Sequence, residues 1–348
     1  MKSVRAWLMQ YALQIVVLAI VIVTMYSLYP KFQVESSIER LVPLGVIAAG
    51  LAVTMIAGEF DLSIASMAAL SGALTVQLSD HGPGLIVSLL IAIAACTLLG
   101  MLQGWAIATL RINSLVFTVG TLVLIRGMTW LVCGGLAISV NDFAASDIFN
   151  NKFLSLSPLS ISALCVLVAL GTFLARTRWG RELYALGSSR QEAVAAGVSY
   201  RLGMVIAFGI SAACGAVGGG LTSALSGSAA PDGLESMLVL GIAAALVGGV
   251  SIAGGRGTIV NVFLGFAIIS VMSAGLAGMG AKAYVAQFYT GILLLTIVLA
   301  EYFIAQLAEH RNRSRMKHIA RAEGRDHIDL TDSEARVGPR VAATPSNR

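Results

Sequence analysis

The chain reads as a series of long apolar runs broken by glycine, proline and charge. Ten runs stand out, at approximately 11–29, 41–57, 62–79, 85–108, 114–133, 159–175, 203–222, 237–254, 259–279 and 284–303. A helix needs about 20 apolar residues to cross the hydrocarbon core, where every backbone N–H and C=O must be satisfied within its own segment. The pattern therefore predicts an all-α polytopic membrane protein of about ten transmembrane helices. The second and third runs are separated only by Gly58-Glu59-Phe60-Asp61, so a broken or re-entrant helix pair is the alternative to two clean passes there.

Composition agrees with the pattern. Of 348 residues, 57% are hydrophobic and 12% charged, with a mean hydropathy of +0.84; a soluble domain carries roughly 25% charged residues. The net charge of +5 does not point to nucleic acid, because the basic residues lie between and after the apolar runs. With the N-terminus inside, 18 Lys and Arg fall on cytoplasmic segments and four (Lys31, Arg40, Lys152, Lys282) on outer ones. Positively charged loops stay inside, so both termini are expected in the cytoplasm. The first run follows Lys2 and Arg5 as a signal peptide would. It is too long for that, and Ser27-Leu28-Tyr29-Pro30 offers no small-residue cleavage site, so it reads as a retained span. After Ile304 the composition turns basic and polar. This divides the chain into a transmembrane domain, 1–303, and a basic juxtamembrane segment with a disordered cytoplasmic tail, 304–348, whose basic part can rest on membrane lipid.

Charge inside the runs needs a reason, since even a lenient scale sets a central charge at about 2.5–3.5 kcal/mol. Asp61 reads as the N-cap of a helix beginning at Leu62, with Ser63 near the same end. Glu59 reads as a partner for a basic residue or for a polar solute. Arg126 sits within Leu122 to Leu131, facing the bundle interior or a wet cavity. It pairs there with Glu59, Asp61 or backbone carbonyls, or else lines the pathway. Trp105 and Trp130 read as interfacial anchors. Cys96, Cys133, Cys165 and Cys214 lack C-x-x-C spacing or a histidine partner and read as packing residues. His81, His310, His318 and His327 fall in loops or the tail, so no metal site and no cofactor are expected. An intramembrane enzyme is disfavoured for the same reason, because no nucleophile and base are paired within the runs. Gly100-x-x-x-Gly104 and Gly215-x-x-x-Gly219 are helix-packing signals.

Two turns echo each other. Val53 to Ala65 and Ala245 to Gly255 each break an apolar run with glycine and a small polar residue, the second through Gly248, Gly249, Ser251, Gly254 and Gly255. They suggest a parallel repeat of about four spans, an arrangement transporters use around a substrate path. The soluble loop from Arg176 to Val198 carries a short helix, with Ser189 placed to cap it, Glu192 at capping-box distance and Gly197 placed to end it near Ala196. Its small Ala and Val face suits docking in another protein's groove better than insertion into lipid.

At this loop the chain resembles the ribose-type sugar ABC permeases. The resemblance rests on Gly180-Arg181, on Tyr184-Ala185-x-Gly187 and on Glu192-Ala193-x-x-x-Gly197. Gly58 to Ser63, Gly120-Thr121 with Arg126-Gly127, and Gly248-Gly249-Val250-Ser251 running on to Gly254-Gly255-Arg256-Gly257 extend it across roughly residues 40 to 302. It implies a non-catalytic pore subunit in a bacterial inner membrane, importing a monosaccharide or related small polar solute. A second permease subunit, identical or paralogous, would complete the pore. An ATP-binding subunit would dock on the loop around Glu192-Ala193, and an extracytoplasmic solute-binding protein would deliver the solute. The chain has no Gly-x-x-x-x-Gly-Lys-Ser/Thr phosphate loop, so energy must come from the partner. Three departures bear on the solute: Glu59 stands where family members usually have glycine, Leu238 where many have an acid, and no basic residue precedes Pro231 in Ser223 to Gly227. The competing reading is an ion- or proton-coupled secondary transporter with Glu59, Asp61 and Arg126 as its relay.

Overall fold

A computed structural model describes residues 2–29, 34–141, 158–282, 284–297 and 299. Lys31, Lys152 and the basic tail after Ile304 lie outside the described residues. The elements are α1 (Lys2–Leu28), α2 (Val34–Ile56), α3 (Ile64–Ser79), α4 (Leu85–Leu110), α5 (Ser114–Cys133), β1 (Ile138–Ser139), α6 (Pro158–Arg176), α7 (Arg178–Ser188), α8 (Arg190–Ala195), α9 (Tyr200–Ser226), β2 (Ser228–Ala229), α10 (Glu235–Val247) and α11 (Ile259–Gly278). A further apolar helix spans Tyr284–Ile297.

Among the described residues, five helices are long and apolar enough to cross a membrane: Tyr11–Leu28 of α1, α4, α5, α9 and α11. The pair α6 and α7 adds a sixth if its 74° bend lies within one span. Val42–Ile56, Ile64–Ser79, Ser236–Val247 and Tyr284–Ile297 are apolar but shorter. The chain is thus a polytopic helical membrane protein. Gly58 to Asp61 does interrupt the second and third runs, as a non-helical break between α2 and α3. α3 starts two residues later than expected, at Ile64 and not Leu62.

Helix α9 is the centre of the packing, against α4, α3 and α2. Its backbone comes close because both GxxxG pairs face these contacts. A Cβ on Gly215 would lie 2.8 Å from the Ile64 carbonyl oxygen, and one on Gly219 would collide with the carbonyl of Ala68. From the other side, Gly100 would meet the Phe208 carbonyl at 2.5 Å and Gly104 that of Met204. In hydrocarbon, where lipid tails offer apolar contact as good as a side chain's, this close approach is what holds helices together. The peripheral helices turn large apolar side chains outward, among them Val23 on α1, Leu90 and Leu102 on α4, and Leu124 and Leu131 on α5. Such surface would be intolerable in water and is expected against lipid.

The connecting segments sort into two ends. At one end, the amide of Gly255 donates to the Ile56 carbonyl at 2.9 Å and Tyr184 Oη to the Gly257 carbonyl at 2.7 Å. There too, the amide of Phe60 donates to Ser114 Oγ at 3.3 Å. At the other end, β1 and β2 pair antiparallel with Ile138 opposite Ala229, and the amides of Val140 and Asn141 donate to Gly227 O and Asp80 Oδ1 at 2.9 and 3.0 Å. Alternate connections therefore meet their own kind, as a chain crossing back and forth requires.

Replacing Gly219 by leucine should drive a side chain into the Ala68 backbone and destabilise the detergent-solubilised protein by about 1–3 kcal/mol, read as a lowered Tm. Gly120→Ala is the control: no heavy atom lies within 4 Å of its Cβ position. Its better helix propensity, up to about 1 kcal/mol, should leave Tm unchanged or slightly raised.

Candidate functional site

Both turns that echo in sequence are helix ends closed by the same backbone bonds. After α2, Gly58 N donates to Met55 O at 2.9 Å and Glu59 N to Thr54 O at 3.0 Å. After α10, Gly249 N donates to Leu246 O at 2.8 Å and Val250 N to Ala245 O at 3.0 Å. This paired closure needs a left-handed residue at its centre, and Gly58 and Gly249 supply it with φ of 81° and 93°. The same closure ends α8 at Gly197, so it describes how helices stop in this chain and carries no repeat by itself.

What joins the two turns is the end of α7. A Cβ on Gly187 would collide with the Ile56 carbonyl and lie 2.6 Å from the Gly255 amide, the two groups that bond each other. One on Gly254 would sit 2.8 Å from both the Gly187 oxygen and the Gly58 Cα, and one on Gly255 2.8 Å from the Ser188 Cα. Three chain segments thus meet backbone to backbone. Gly248 presses likewise on the Asn261 carbonyl, while Asn261 Nδ2 donates to Gly248 O at 2.6 Å and its Oδ1 accepts from Thr258 N at 3.1 Å, capping α11. Ser251 Oγ accepts from Ala253 N at 3.2 Å within the turn.

Helix α7 is held to this junction along its length. Thr177 Oγ1 accepts from Gly180 N at 3.0 Å, and the missing side chain of Gly180 lets α7 fold back within reach of the Phe173 and Leu174 carbonyls. Burial pushes the Tyr184 phenol above its ordinary value, so it keeps the proton it donates to Gly257. Arg181 is exposed and points one N–H at the Arg176 carbonyl, 3.4 Å away. In α8, Ala193 is buried while Glu192, Val194, Ala195, Ala196 and Gly197 are exposed. Ser189 occupies the N-cap position but makes no side-chain capping bond, and its own amide donates to Ala185, so the expected capping box with Glu192 is not formed. The short helix expected after Ser189 is present as α8, from Arg190 to Ala195, and a further helix, α7, precedes it.

The charged residues have separate partners. Glu59 pairs with Arg190 and accepts a hydrogen bond from Tyr200 Oη at 2.9 Å, while the Arg190 guanidinium lies 4.4 Å over the Tyr200 ring. Asp61 is fully buried; its Oδ1 accepts from Ser63 N and Oγ at 3.0 and 2.6 Å, and its Oδ2 from Ser211 Oγ at 2.7 Å. Three donors offset the loss of water around the carboxylate. Asp61 thereby organises the residues before α3 without occupying the N-cap, which is Ser63. Gln103 Oε1 is placed 3.2 Å from Ser63 Oγ, with Nε2 buried and unpartnered. Because the serine proton is committed to Asp61, turning the amide over lets Nε2 donate to Ser63 Oγ.

Arg126 meets neither Glu59 nor Asp61. Its Nε lies 3.5 Å from Asp232 Oδ1, a half-open pair that ties α5 to the segment before α10. The two side chains are 34% and 54% exposed, so solvent leaves the attraction little net worth in stability. Arg126 also lines a cavity of about 160 Å³ with Ala65, Ser66, Ala69, Leu122, Pro231 and Leu238. Ser66 Oγ donates to the Leu122 carbonyl at 2.9 Å in its wall. A relay of Glu59, Asp61 and Arg126 is therefore not assembled. Among the described residues no cluster of His, Cys, Asp and Glu could hold a metal. Cys96, Cys133 and Cys214 are buried and Cys165 is exposed.

Residue order does not announce Arg190, Tyr200, Ser211, Gln103 and Asp232 as the partners of these charges. Gln103 and Ser211 carry a usable signal, being polar residues within apolar runs. Arg190 and Asp232 lie in charged or polar loops, where nothing local distinguishes them.

The chain matches the family described as "Branched-chain amino acid transport system / permease component" over residues 33–298. It is similar to the xylose/arabinose import permease protein XylH of Sulfolobus acidocaldarius, with 31% identity over 304 residues covering 83% of each chain. It shares 27% identity with the autoinducer 2 import system permease protein LsrC of Yersinia pseudotuberculosis, over 84% of this chain and 82% of that one. With the ribose import permease protein RbsC of Escherichia coli it shares 25%, over 85% and 95%. No solved structure matches the chain.

Tyr184→Phe removes one hydrogen bond and should cost about 1 kcal/mol in denaturant unfolding of the solubilised protein. Gly187→Val forces the two turns apart and should cost more, about 1–3 kcal/mol.

Proposed function

The chain belongs to the ribose-type sugar family of ABC importer permeases, and from that we propose that it forms one half of a pathway for a monosaccharide or related small hydroxylated solute. The pathway lies in a bacterial inner membrane and is completed by a second permease subunit. The four shorter apolar helices and α6 join the five longer ones as ten membrane segments, with both termini cytoplasmic. An ATP-binding subunit docks on the loop from Thr177 to Val198, and an extracytoplasmic binding protein delivers the solute at the end where β1 and β2 pair. The chain makes and breaks no covalent bond; its relatives are transporter subunits whose names describe import.

The observation that carries this reading is the seat of Gly187. Helix α7 is lodged by bare backbone against both turns, and α8 follows it with Glu192, Val194 and Ala195 exposed to a partner. A push on α8 therefore reaches the ends of α2 and α10 without an intervening side chain. The cavity beside Arg126 sets that guanidinium and the Ser66 hydroxyl on an otherwise apolar wall, a lining suited to a neutral polyol. Identities of 25–31% to sugar import permeases support a sugar-like class of solute.

Replacing Glu192 and Gly197 together should abolish partner-stimulated ATP hydrolysis while membrane insertion persists. Gly197 has φ +90° with open space around it, so a side chain there strains the end of α8 and disturbs nothing else. Unaltered hydrolysis rejects this loop as the docking site. In proteoliposomes the chain without its ATPase should accumulate no solute under a pH or ion gradient; accumulation overturns the importer reading.

A further inference from the structure

The pair of Glu59 and Arg190 bridges parts of the chain 131 positions apart. Arg190 is the first residue of α8, Tyr200 the first of α9, and Glu59 belongs to the break between α2 and α3. One carboxylate oxygen of Glu59 accepts from both, and the guanidinium stacked on the tyrosine ring closes the triangle. Glu59 is 9% exposed in its side chain and Arg190 51%. Separation would strand the buried carboxylate, whereas the arginine alone could reach water, so the contact resists being pulled apart from the Glu59 side.

The next residue continues the linkage. The amide of Phe60 donates to Ser114 Oγ at 3.3 Å, and its carbonyl accepts from Thr118 Oγ1 at 3.3 Å. Ser114 and Thr118 are one turn apart at the start of α5, and Leu122 and Arg126, one and two turns further along the same helix, line the cavity. A continuous series of polar contacts thus runs from α8 through Glu59 and Phe60 to the helix that carries the cavity wall.

We propose that Glu59 is a positioning residue that carries displacement of α8 to α5, so that movement of the docked loop reshapes the cavity at Leu122 and Arg126. This rests on the reading of α8 as the ATPase-docking helix. The strut is distinct from the glycine junction, which links α7 to α2 and α10, because it alone reaches α5 through side chains.

The test uses the full chain assembled with its ATPase and second permease. Cys165 is replaced by serine, and spin labels are placed on the exposed positions Gln191 of α8 and Val123 of α5. Distances are read with and without a non-hydrolysable ATP analogue. In the otherwise native complex both labels should shift. With Glu59→Gln, α8 should still shift while α5 does not, and solute moved per ATP hydrolysed should fall several-fold. Arg190→Lys, which keeps the charge, should restore part of the coupling that Arg190→Ala loses. Equal α5 shifts in native and Glu59→Gln complexes overturn the proposal.

If α8 does not respond to nucleotide in the native complex, the docking reading fails instead. The strut is then judged on the chain alone, where Glu59→Gln should raise amide exchange across 190–197 about tenfold, the loss expected for a hydrogen bond to a charged group. Unchanged exchange there shows that the pair does not hold α8.

Discussion

Contact between bare backbones at Gly58, Gly187, Gly254 and Gly255 sets the geometry of one end of this protein. A side chain can turn to another rotamer when its neighbour shifts, but a carbonyl against an amide cannot. Where Gly187 meets Ile56 and Gly255, the end of α2, the turn after α10 and the end of α7 are in direct backbone contact, with no side chain between them to absorb a shift. The same rule operates between α9 and its neighbours, where Gly104 and Gly219 lie on foreign carbonyls. In lipid this is expected, since close packing replaces the hydrophobic drive that water would supply.

Polar groups follow from the same solvent. Each buried or half-buried charge has a partner chosen by position: Asp61 within its own turn and from α9, Glu59 from α8 and α9, Arg126 from the segment before α10. Dispersed in this way, each braces the segments that its partner joins. A proton relay would need them in sequence along one path, and an ion-coupled mechanism finds no such path among them. The importer reading agrees with both facts, because its moving force enters from outside the chain through a loop seated on the turns.

Much of this was legible in residue order. Apolar runs and their breaks located the helices, because a span's length and composition are imposed by the bilayer whatever its neighbours are. Both GxxxG pairs could be read as contact faces, since only glycine permits that approach. The two turns and the loop at 177–198 could be singled out as unusual, and the loop's elements carried the family resemblance. Partner identity was not legible. Arg126 and Glu59 each needed an opposite charge, and the nearest by sequence logic was the other; in the structure they turn to Asp232 and Arg190, neither of which residue order marks as a partner.

Local chemistry therefore determined where helices run, where they stop and which residues could not be ordinary. Folding in three dimensions decided that the two turns and the loop meet at Gly187, and that Ser189 sits at the start of α8 without capping it. It also decided that the Glu59 carboxylate faces α8. The division has a physical cause. Propensity, capping and insertion into lipid act over one or two turns of chain, whereas an ion pair across 131 residues exists only once packing has fixed both of its ends.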